Sequence, residues 1–262
     1  MPAAPAYDTG YGLIVLTRYR DVGHVLRSND FSRDIDANAT PSDDPVAVRR
    51  RERRSNSSKT ILNLDPPDHT RLRRMVRDGF SNRAMEALEP RIVEIAGNLI
   101  EDLAGKDEFD LISEFALPLP VTVIAEMLGV PLADQERFRT WTQAILGRGV
   151  DSEEEIMLAG MEFVNYLNDL AGERRTNPAD DLTSYLLHTS EDGDSLSHEE
   201  FLAMVFLLLV AGHETTVNLI GNGVVELSSH PDEYARMLDD PDLIPSAVEE
   251  ILRFHGPVET AT

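Results

Sequence analysis

The sequence contains no cysteine among its 262 residues. Disulfide bonds, thiolate nucleophiles and cysteine-based zinc sites are therefore excluded for these residues. A chain of this length can bury enough apolar surface to fold without cross-links. The absence of cysteine suits an intracellular protein, and we expect a cytoplasmic location.

Positive charge and long apolar runs are also scarce. The chain has 24 Lys plus Arg against 47 Asp plus Glu, a formal net charge of −23, which repels nucleic acid and anionic membranes. Its longest apolar run, residues 201–212, is shorter than the roughly 20 residues that a membrane-spanning helix needs. The first residues also lack the basic and apolar segments of a secretory signal. We expect a soluble protein that binds neither nucleic acid nor membrane.

One basic segment interrupts this acidic chain. Residues 47–60 read AVRRRERRSNSSKT, a cluster of arginines among serines and asparagines. Such a composition is typical of a solvated, mobile loop. We expect the loop at residues 36–60 and the segment between residues 130 and 151 to select the substrate, although one sequence does not reveal its identity.

Helical periodicity dominates the rest of the sequence. A short strand near residue 13 leads into a helix from residue 20, and prolines after Asp65 indicate the start of another helix. Apolar residues at helical spacing predict further helices at residues 83–103, 119–128, 133–146, 153–174, 180–187 and 244–254. Ser197 and Glu200 have the spacing of a capping box, and the helix that they begin would hold about 30 residues and span about 45 Å. The pattern predicts a mainly α fold with a minor β component and a long central helix.

The long helix has a polar break, AGHETT at residues 211–216. Ala211, Gly212 and Thr215 share a face because helix positions three and four apart are neighbours. Gly212 costs about 1 kcal/mol relative to alanine, so its presence indicates that something bulky or planar approaches the backbone. Thr215 can donate a hydrogen bond to the carbonyl of Ala211, which tends to bend a helix.

Glu214 would place an ionisable group in a poorly solvated part of this helix. Its pKa could then rise toward the range that serves proton delivery. The alternative is that Glu214 pairs with a buried Arg or His and that the threonines only pack. A metal-ligand role for His213 is disfavoured, because no second ligand stands at a suitable spacing.

Two further motifs lie outside the long helix. His69 and Arg73 are one helical turn apart in the basic segment DPPDHTRLRRMV, which suits an anionic ligand because a guanidinium can bind both oxygens of a carboxylate. The alternative is an exposed basic helix that the acidic remainder neutralises. Glu250 and Arg253 form an (i, i+3) pair worth about 0.2–0.5 kcal/mol if exposed, and periodicity predicts that it is exposed.

Together these motifs resemble the cytochrome P-450 family, the heme-thiolate monooxygenases. AGHETT resembles the oxygen-activation motif of the family's central helix, and DPPDHTRLRRMV its heme-propionate segment. DDLTSYLL followed by LSHEEF resembles the approach to that helix, and AVEEILRF the helix with a Glu-x-x-Arg pair. The motifs occur in the family's order and are closest to its soluble bacterial members. The resemblance implies one cytochrome P-450 domain over residues 1–262.

The resemblance also implies roles for particular residues. Glu214 and Thr215 would help deliver protons to dioxygen, and Glu250 with Arg253 would form a buried structural pair. Contacts with a heme are implied for His69, Arg73, Ala211 and Gly212.

One departure from the family is severe. The family's iron ligand is a cysteine in a glycine-rich loop near the C-terminus, and this chain has no cysteine and stops at Thr262. We therefore expect a fold that is incomplete at the C-terminus, and no residue is assigned as a metal ligand. Without a thiolate, the electron donation that favours O–O cleavage is lost.

Two functions stay open. The chain would be a fragment of a monooxygenase that uses heme iron and dioxygen to hydroxylate or epoxidise a small organic substrate, with electrons from ferredoxin and ferredoxin reductase. Alternatively, it is a non-catalytic relative that helps an enzyme partner such as a glycosyltransferase. The absence of a whole C-terminal block favours the fragment, because such helpers keep the rest of the fold.

Overall fold

The computed structural model describes residues 6–8, 14–33, 60–150, 152–191 and 193–258. The basic run lies outside the described residues except for Thr60, and so does most of the loop predicted at residues 36–60. The chain divides into two compact units, Met1–Arg71 and Leu72–Thr262, each of which is described by itself.

Helices make up most of the described residues, which confirms the mainly α fold class. Their bounds are α1 Tyr19–Arg27, α2 Asp68–Val76, α3 Asn82–Leu103, α4 Pro118–Met127, α5 Gln135–Ile145, α6 Glu153–Thr176, α7 Leu182–His188, α8 His198–Ser229, α9 Pro231–Asp239 and α10 Ile244–Phe254. The helices that the periodicity predicts from residue 83 onward agree with these bounds to within a turn.

The first unit contains a small antiparallel sheet and α1. Strand β1 (Ala6–Asp8) pairs with β2 (Ile14–Leu16), so that Tyr7 lies opposite Val15. The sequence predicts β2 but not its partner, because a three-residue strand carries too little periodicity to be recognised. The carboxylate of Asp65 accepts a hydrogen bond of 2.9 Å from the backbone N–H of Arg33.

The long helix α8 is the centre of the second unit. It has 32 residues, and the capping box of Ser197 and Glu200 is present as predicted. Its fully buried side chains recur every four residues: Phe201, Val205, Leu209, His213 and Val217. The helix α8 packs against α4, and each large apolar side chain buried in the stripe contributes about 1.5–3 kcal/mol.

A second packed layer joins α5 and α6. The rings of Phe138 and Phe163 are fully buried, with centroids 5.4 Å apart. Nearby, the indole Nε1 of Trp141 donates a hydrogen bond of 2.7 Å to Glu162. An aromatic pair and a charge-assisted hydrogen bond therefore hold the same two helices together.

An ion pair ties the end of α6 to the start of α7. Arg174 Nε donates to Asp181 Oδ2 at 2.5 Å, and its Nη2 donates to the carbonyl of Gly129 at 3.0 Å. Asp181 also caps α7, accepting a hydrogen bond from the backbone N–H of Ser184. Gly129 has a φ of +73°, and a Cβ there would lie 2.1 Å from Asp181. Only glycine fits this junction without strain.

Besides β1, the sequence analysis missed one helix and one hairpin. The first is α9, although Pro231 at its first turn and two following acids are ordinary start signals. The second is a hairpin of β3 (Ser190–Glu191) and β4 (Asp194–Ser195) just before α8.

Among the described residues, one helix, α8, is long and apolar enough to cross a membrane by length and composition. The sequence analysis considered only the apolar run at residues 201–212 and so underestimated the apolar length of this helix. The helix becomes apolar again beyond the polar break. The helix packs against α4, α9 and α10, which is the behaviour of a core helix.

Candidate functional site

The polar break lies within continuous α-helix in the middle of α8. Thr215 Oγ1 donates to the carbonyl of Ala211 at 2.5 Å, as predicted, and Thr216 Oγ1 donates to the carbonyl of Gly212 at 2.7 Å. Ala211 is exposed, whereas both threonines are half-buried. The break therefore presents a small side chain and a hydroxyl at the surface of an otherwise apolar helix.

Gly212 faces another helix. A Cβ at this position would lie 3.1 Å from Cδ1 of Ile124 on α4. The glycine thus lets α4 pack closely on α8. This contact explains why a residue that destabilises a helix is found here, and no ligand is needed to explain it. Contact between Gly212 and a heme stays a prediction.

Glu214 does not occupy the poorly solvated place that the sequence suggested. Glu214 is exposed, whereas the buried residues of the helix next to it are His213 and Val217. The expectation of desolvation was therefore wrong. A carboxylate in this position can instead exchange protons directly with solvent.

His213 is the buried polar residue of the break. Its exposure is 0 %, and neither ring nitrogen has a hydrogen-bond partner among the described residues. Burial, assisted by the charge of Arg148, lowers its pKa to about 4, so the ring is neutral near pH 7. The backbone of Leu117 faces the ring but does not reach hydrogen-bond geometry.

Metal ligation by His213 has no support in the part of the chain that the structure describes. No group of three His, Cys, Asp or Glu side chains there could hold a metal ion. His213 is therefore a core residue, although it lacks the hydrogen bonds that a core histidine usually makes.

His69 and Arg73 both lie on α2. His69 belongs to the first unit and is half-buried, whereas Arg73 belongs to the second unit and is exposed. Arg74 and Arg77, which also belong to the second unit, are exposed as well. Arg77 forms an ion pair with Asp78, in which Nε lies 3.2 Å from Oδ1. This part of the chain presents several guanidinium groups to solvent.

Glu250 and Arg253 form a bidentate pair on α10. Arg253 Nε and Nη2 donate to the two carboxylate oxygens at 2.7 and 2.6 Å, which holds the pKa of Glu250 below its usual value. The side chains are 59 % and 68 % exposed. The exposure predicted from periodicity is confirmed, and the burial implied by the resemblance is not found, because no α10 residue is buried.

The sequence did not reveal the contacts between the C-terminal half of α8 and the residues after α10. Asn222 donates from Nδ2 to the carbonyl of His255 at 3.1 Å. A cleft of about 440 Å³ lies nearby, with Leu227, Met237 and Ile251 among its lining residues. Amide side chains at four-residue spacing in an apolar helix were the available signal.

Comparison with known proteins identifies relatives of this chain. The family model described as Cytochrome P450 matches residues 152–244. The chain is 46 % identical over 252 residues to Cytochrome P450 107B1 of Saccharopolyspora erythraea, covering 95 % of this chain and 61 % of the relative. It is 45 % identical over 249 residues to Vitamin D(3) 25-hydroxylase of Pseudonocardia autotrophica, covering 94 % of this chain and 60 % of the relative.

Solved structures agree. The chain superimposes on the myxobacterial cytochrome P450 CYP267B1, in complex with myristic acid, with a TM-score of 0.82 and 45 % identity. The match covers 95 % of this chain and 62 % of that one, which confirms the fold that the motifs predict. The chain thus spans about three fifths of the length of these relatives. None of the three is named as a helper protein.

Proposed function

Because this chain belongs to the cytochrome P450 family, we propose that it forms part of a heme monooxygenase that hydroxylates or epoxidises a small organic substrate. The polar break of α8 carries this proposal, since it places Thr215 and Glu214 beside the exposed Ala211. Heme, when bound, supplies the iron at which dioxygen is activated.

The residues present fit one face of a heme. Ala211 is small and exposed, so it leaves room for a flat ring against α8, whereas Gly212 faces α4 and its contact with a heme stays a prediction. The guanidinium of Arg73 can bind a propionate, and contact of His69 with the heme stays a prediction. These 262 residues contain no cysteine, and so they supply no thiolate ligand.

Proton delivery is assigned to the acid and the alcohol of the break. Glu214 reaches solvent and can take up a proton from it. The Thr215 hydroxyl donates its hydrogen bond to the carbonyl of Ala211. The hydroxyl oxygen can therefore still accept a hydrogen bond from a bound ligand or water molecule. Thr215 would therefore orient the donor, and Glu214 would replenish the proton.

The substrate class is proposed from the relatives. One is named a vitamin D(3) hydroxylase and another holds myristic acid, both largely apolar molecules. We expect a small apolar organic substrate, electrons from ferredoxin and ferredoxin reductase, and a cytoplasmic protein that engages neither membrane nor nucleic acid.

Hemin titration tests the proposal. We would follow binding by absorbance in the wild type, in Ala211→Trp, which fills the open face, and in Val225→Trp. Val225 is 59 % exposed elsewhere on α8, so it is the matched control. We expect the first variant to weaken binding at least about tenfold, or about 1.4 kcal/mol, and the control to bind as the wild type does. Equal affinities for all three proteins would contradict the proposed site.

A further inference from the structure

Helix α7 and its C-cap present two hydroxyl groups to one backbone carbonyl of α2. Tyr185 Oη donates a hydrogen bond of 2.9 Å to the carbonyl oxygen of Met75, and Thr189 Oγ1 donates a second one of 3.4 Å. The two donors are four residues apart, so they lie on the same side of the helix. Met75 is 3 % exposed, so its carbonyl depends on donors within the protein. We call Tyr185 and Thr189 the hydroxyl pair.

A glycine lets the ring of Tyr185 lie against the turn that follows α2. This 3-10 turn, Arg77–Phe80, packs against α7. A Cβ on Gly79 would lie 2.9 Å from Cε1 of Tyr185 and 3.0 Å from Cδ1 of Leu182. Any larger residue at this position would therefore push the turn and α7 apart.

Helix α7 is itself held firmly by the core. Its N-cap, Asp181, belongs to the largely buried ion pair with Arg174. Thr183 Oγ1 donates a hydrogen bond of 2.7 Å to the carbonyl of Leu128, and both of these residues are fully buried. The hydroxyl pair is therefore carried by a helix whose start is fixed in the core.

The buried side chains of α2 do not by themselves determine where the end of the helix lies. Leu72, Met75 and Val76 are at most 7 % exposed, and they select the face that packs inward. Apolar burial is non-directional, so it tolerates small shifts and rotations of a helix. A hydrogen bond requires a donor–acceptor distance of about 3 Å and a nearly linear geometry. The hydroxyl pair thus supplies the directional contact at the end of α2.

Arg73 lies two residues before the carbonyl that the hydroxyl pair holds. Its side chain is exposed. Among the described residues no carboxylate forms an ion pair with Arg73, whereas Arg77 pairs with Asp78. The guanidinium of Arg73 is therefore available to a ligand. A contact with both oxygens of a carboxylate depends on orientation, so a small shift of α2 would weaken it.

We propose that the hydroxyl pair, with Tyr185 as its principal member, positions α2 so that Arg73 can bind a carboxylate of the ligand with both nitrogens of its fork. Tyr185 makes the shorter of the two hydrogen bonds, and its ring lies against Gly79. The carboxylate is a heme propionate under the proposed function, on which this inference rests. Tyr185 acts through Met75 and Arg73 and is a positioning residue.

The test compares hemin with hemin dimethyl ester, in which both propionates are esterified and uncharged. Tyr185→Phe removes the hydroxyl and keeps the ring that lies against Gly79. Tyr166→Phe is the matched control, because Tyr166 is another half-buried tyrosine and donates a hydrogen bond of 3.2 Å to Asp134. Dissociation constants for both porphyrins would be measured by absorbance, and amide hydrogen exchange would be followed in residues 72–80.

We expect Tyr185→Phe to weaken hemin binding about fivefold, which corresponds to one net hydrogen bond, and to leave the affinity for the ester unchanged. Exchange in residues 72–80 should become faster, because the end of α2 is released. Tyr166→Phe should match the wild type in both affinities and in this exchange.

A double-mutant cycle with Arg73 separates positioning from a general loss of stability. Arg73→Gln should weaken hemin binding at least about tenfold and leave ester binding unchanged, because a charge-assisted contact is lost. Adding Tyr185→Phe to Arg73→Gln should then weaken hemin binding no further, since residues that act through one contact are not additive.

Unchanged hemin affinity or unchanged exchange in Tyr185→Phe would overturn the proposal. So would an equal loss for hemin and its ester, or the same loss in the Arg73→Gln background, because the role would then be merely structural. A Tyr185→Phe loss confined to hemin, together with wild-type hemin affinity in Ala211→Trp, contradicts the proposed function alone. The reverse pattern contradicts the hydroxyl pair alone, and a wild type that binds neither porphyrin contradicts both.

Discussion

The α4–α8 interface and the α8–α10 interface use different sources of stability. On the first, Leu209 and Val217 of α8 and Val121 of α4 are at most 1 % exposed. On the second, α10 has no buried residue, and Leu252 and Phe254 remain partly or largely exposed. Apolar burial holds the first interface, whereas α10 stays largely exposed and the residues that follow it accept hydrogen bonds from Asn218 and Asn222 of α8.

The largest expected difference in stability is between a buried and an exposed ion pair. Arg174 and Asp181 have side chains 12 % and 5 % exposed, whereas Glu250 and Arg253 are largely exposed. Arg174→Met leaves a buried carboxylate unpaired and should lower the free energy of unfolding by about 3–5 kcal/mol. Arg253→Met should change it by less than about 1 kcal/mol. Urea denaturation measures both, and equal losses would contradict the comparison.

Apolar truncation should next separate a buried residue of α8 from a partly exposed residue of α10. Leu209→Ala opens a cavity at a fully buried site and should lower the free energy of unfolding by about 3 kcal/mol. Leu252→Ala, at a residue 39 % exposed, should lower it by about 1 kcal/mol, because solvent already reaches the side chain. A larger loss at Leu252 would show that α10 is packed more firmly than its exposure indicates.

The buried histidine gives the α4–α8 interface a pH dependence. Its pKa is about 4 in the folded protein and 6.5 as the ordinary value, so the unfolded chain binds the proton first as the pH falls. Stability should therefore decrease below pH 6.5 and level off below pH 4, by about 2 kcal/mol at pH 5. His213→Leu should remove this component. Denaturation curves between pH 7 and pH 4 measure it, and parallel wild-type and variant profiles would contradict it.

The sequence predicted features that depend on neighbouring residues. The capping box of Ser197 and Glu200, the bond from Thr215 to Ala211 and the exposed pair on α10 are all set by helix geometry over one turn. The α9 helix could also have been predicted, because a proline such as Pro231 is a common first residue of a helix.

Features set by distant elements could not be predicted in this way. Glu214 is exposed although it lies in an apolar stretch of sequence, and Gly212 faces Ile124, 88 positions earlier in the chain. Asn222 finds its partner 33 residues away. Composition and periodicity report which side chains a helix presents, and they do not report what faces them.

The central claim is that the polar break of α8 delivers protons, and paired threonine variants test it most directly. Thr215→Ala and Thr216→Ala each lose one bond to a helix carbonyl and should differ little in stability. In an intact version of the protein that includes these residues and a heme thiolate ligand, supplied with ferredoxin, ferredoxin reductase and NAD(P)H, Thr215→Ala should keep heme binding but divert oxygen into peroxide. The fraction of NAD(P)H that yields product should fall at least about tenfold in Thr215→Ala and stay near wild type in Thr216→Ala. Undiminished coupling in Thr215→Ala, or an equal loss in both variants, would contradict the claim.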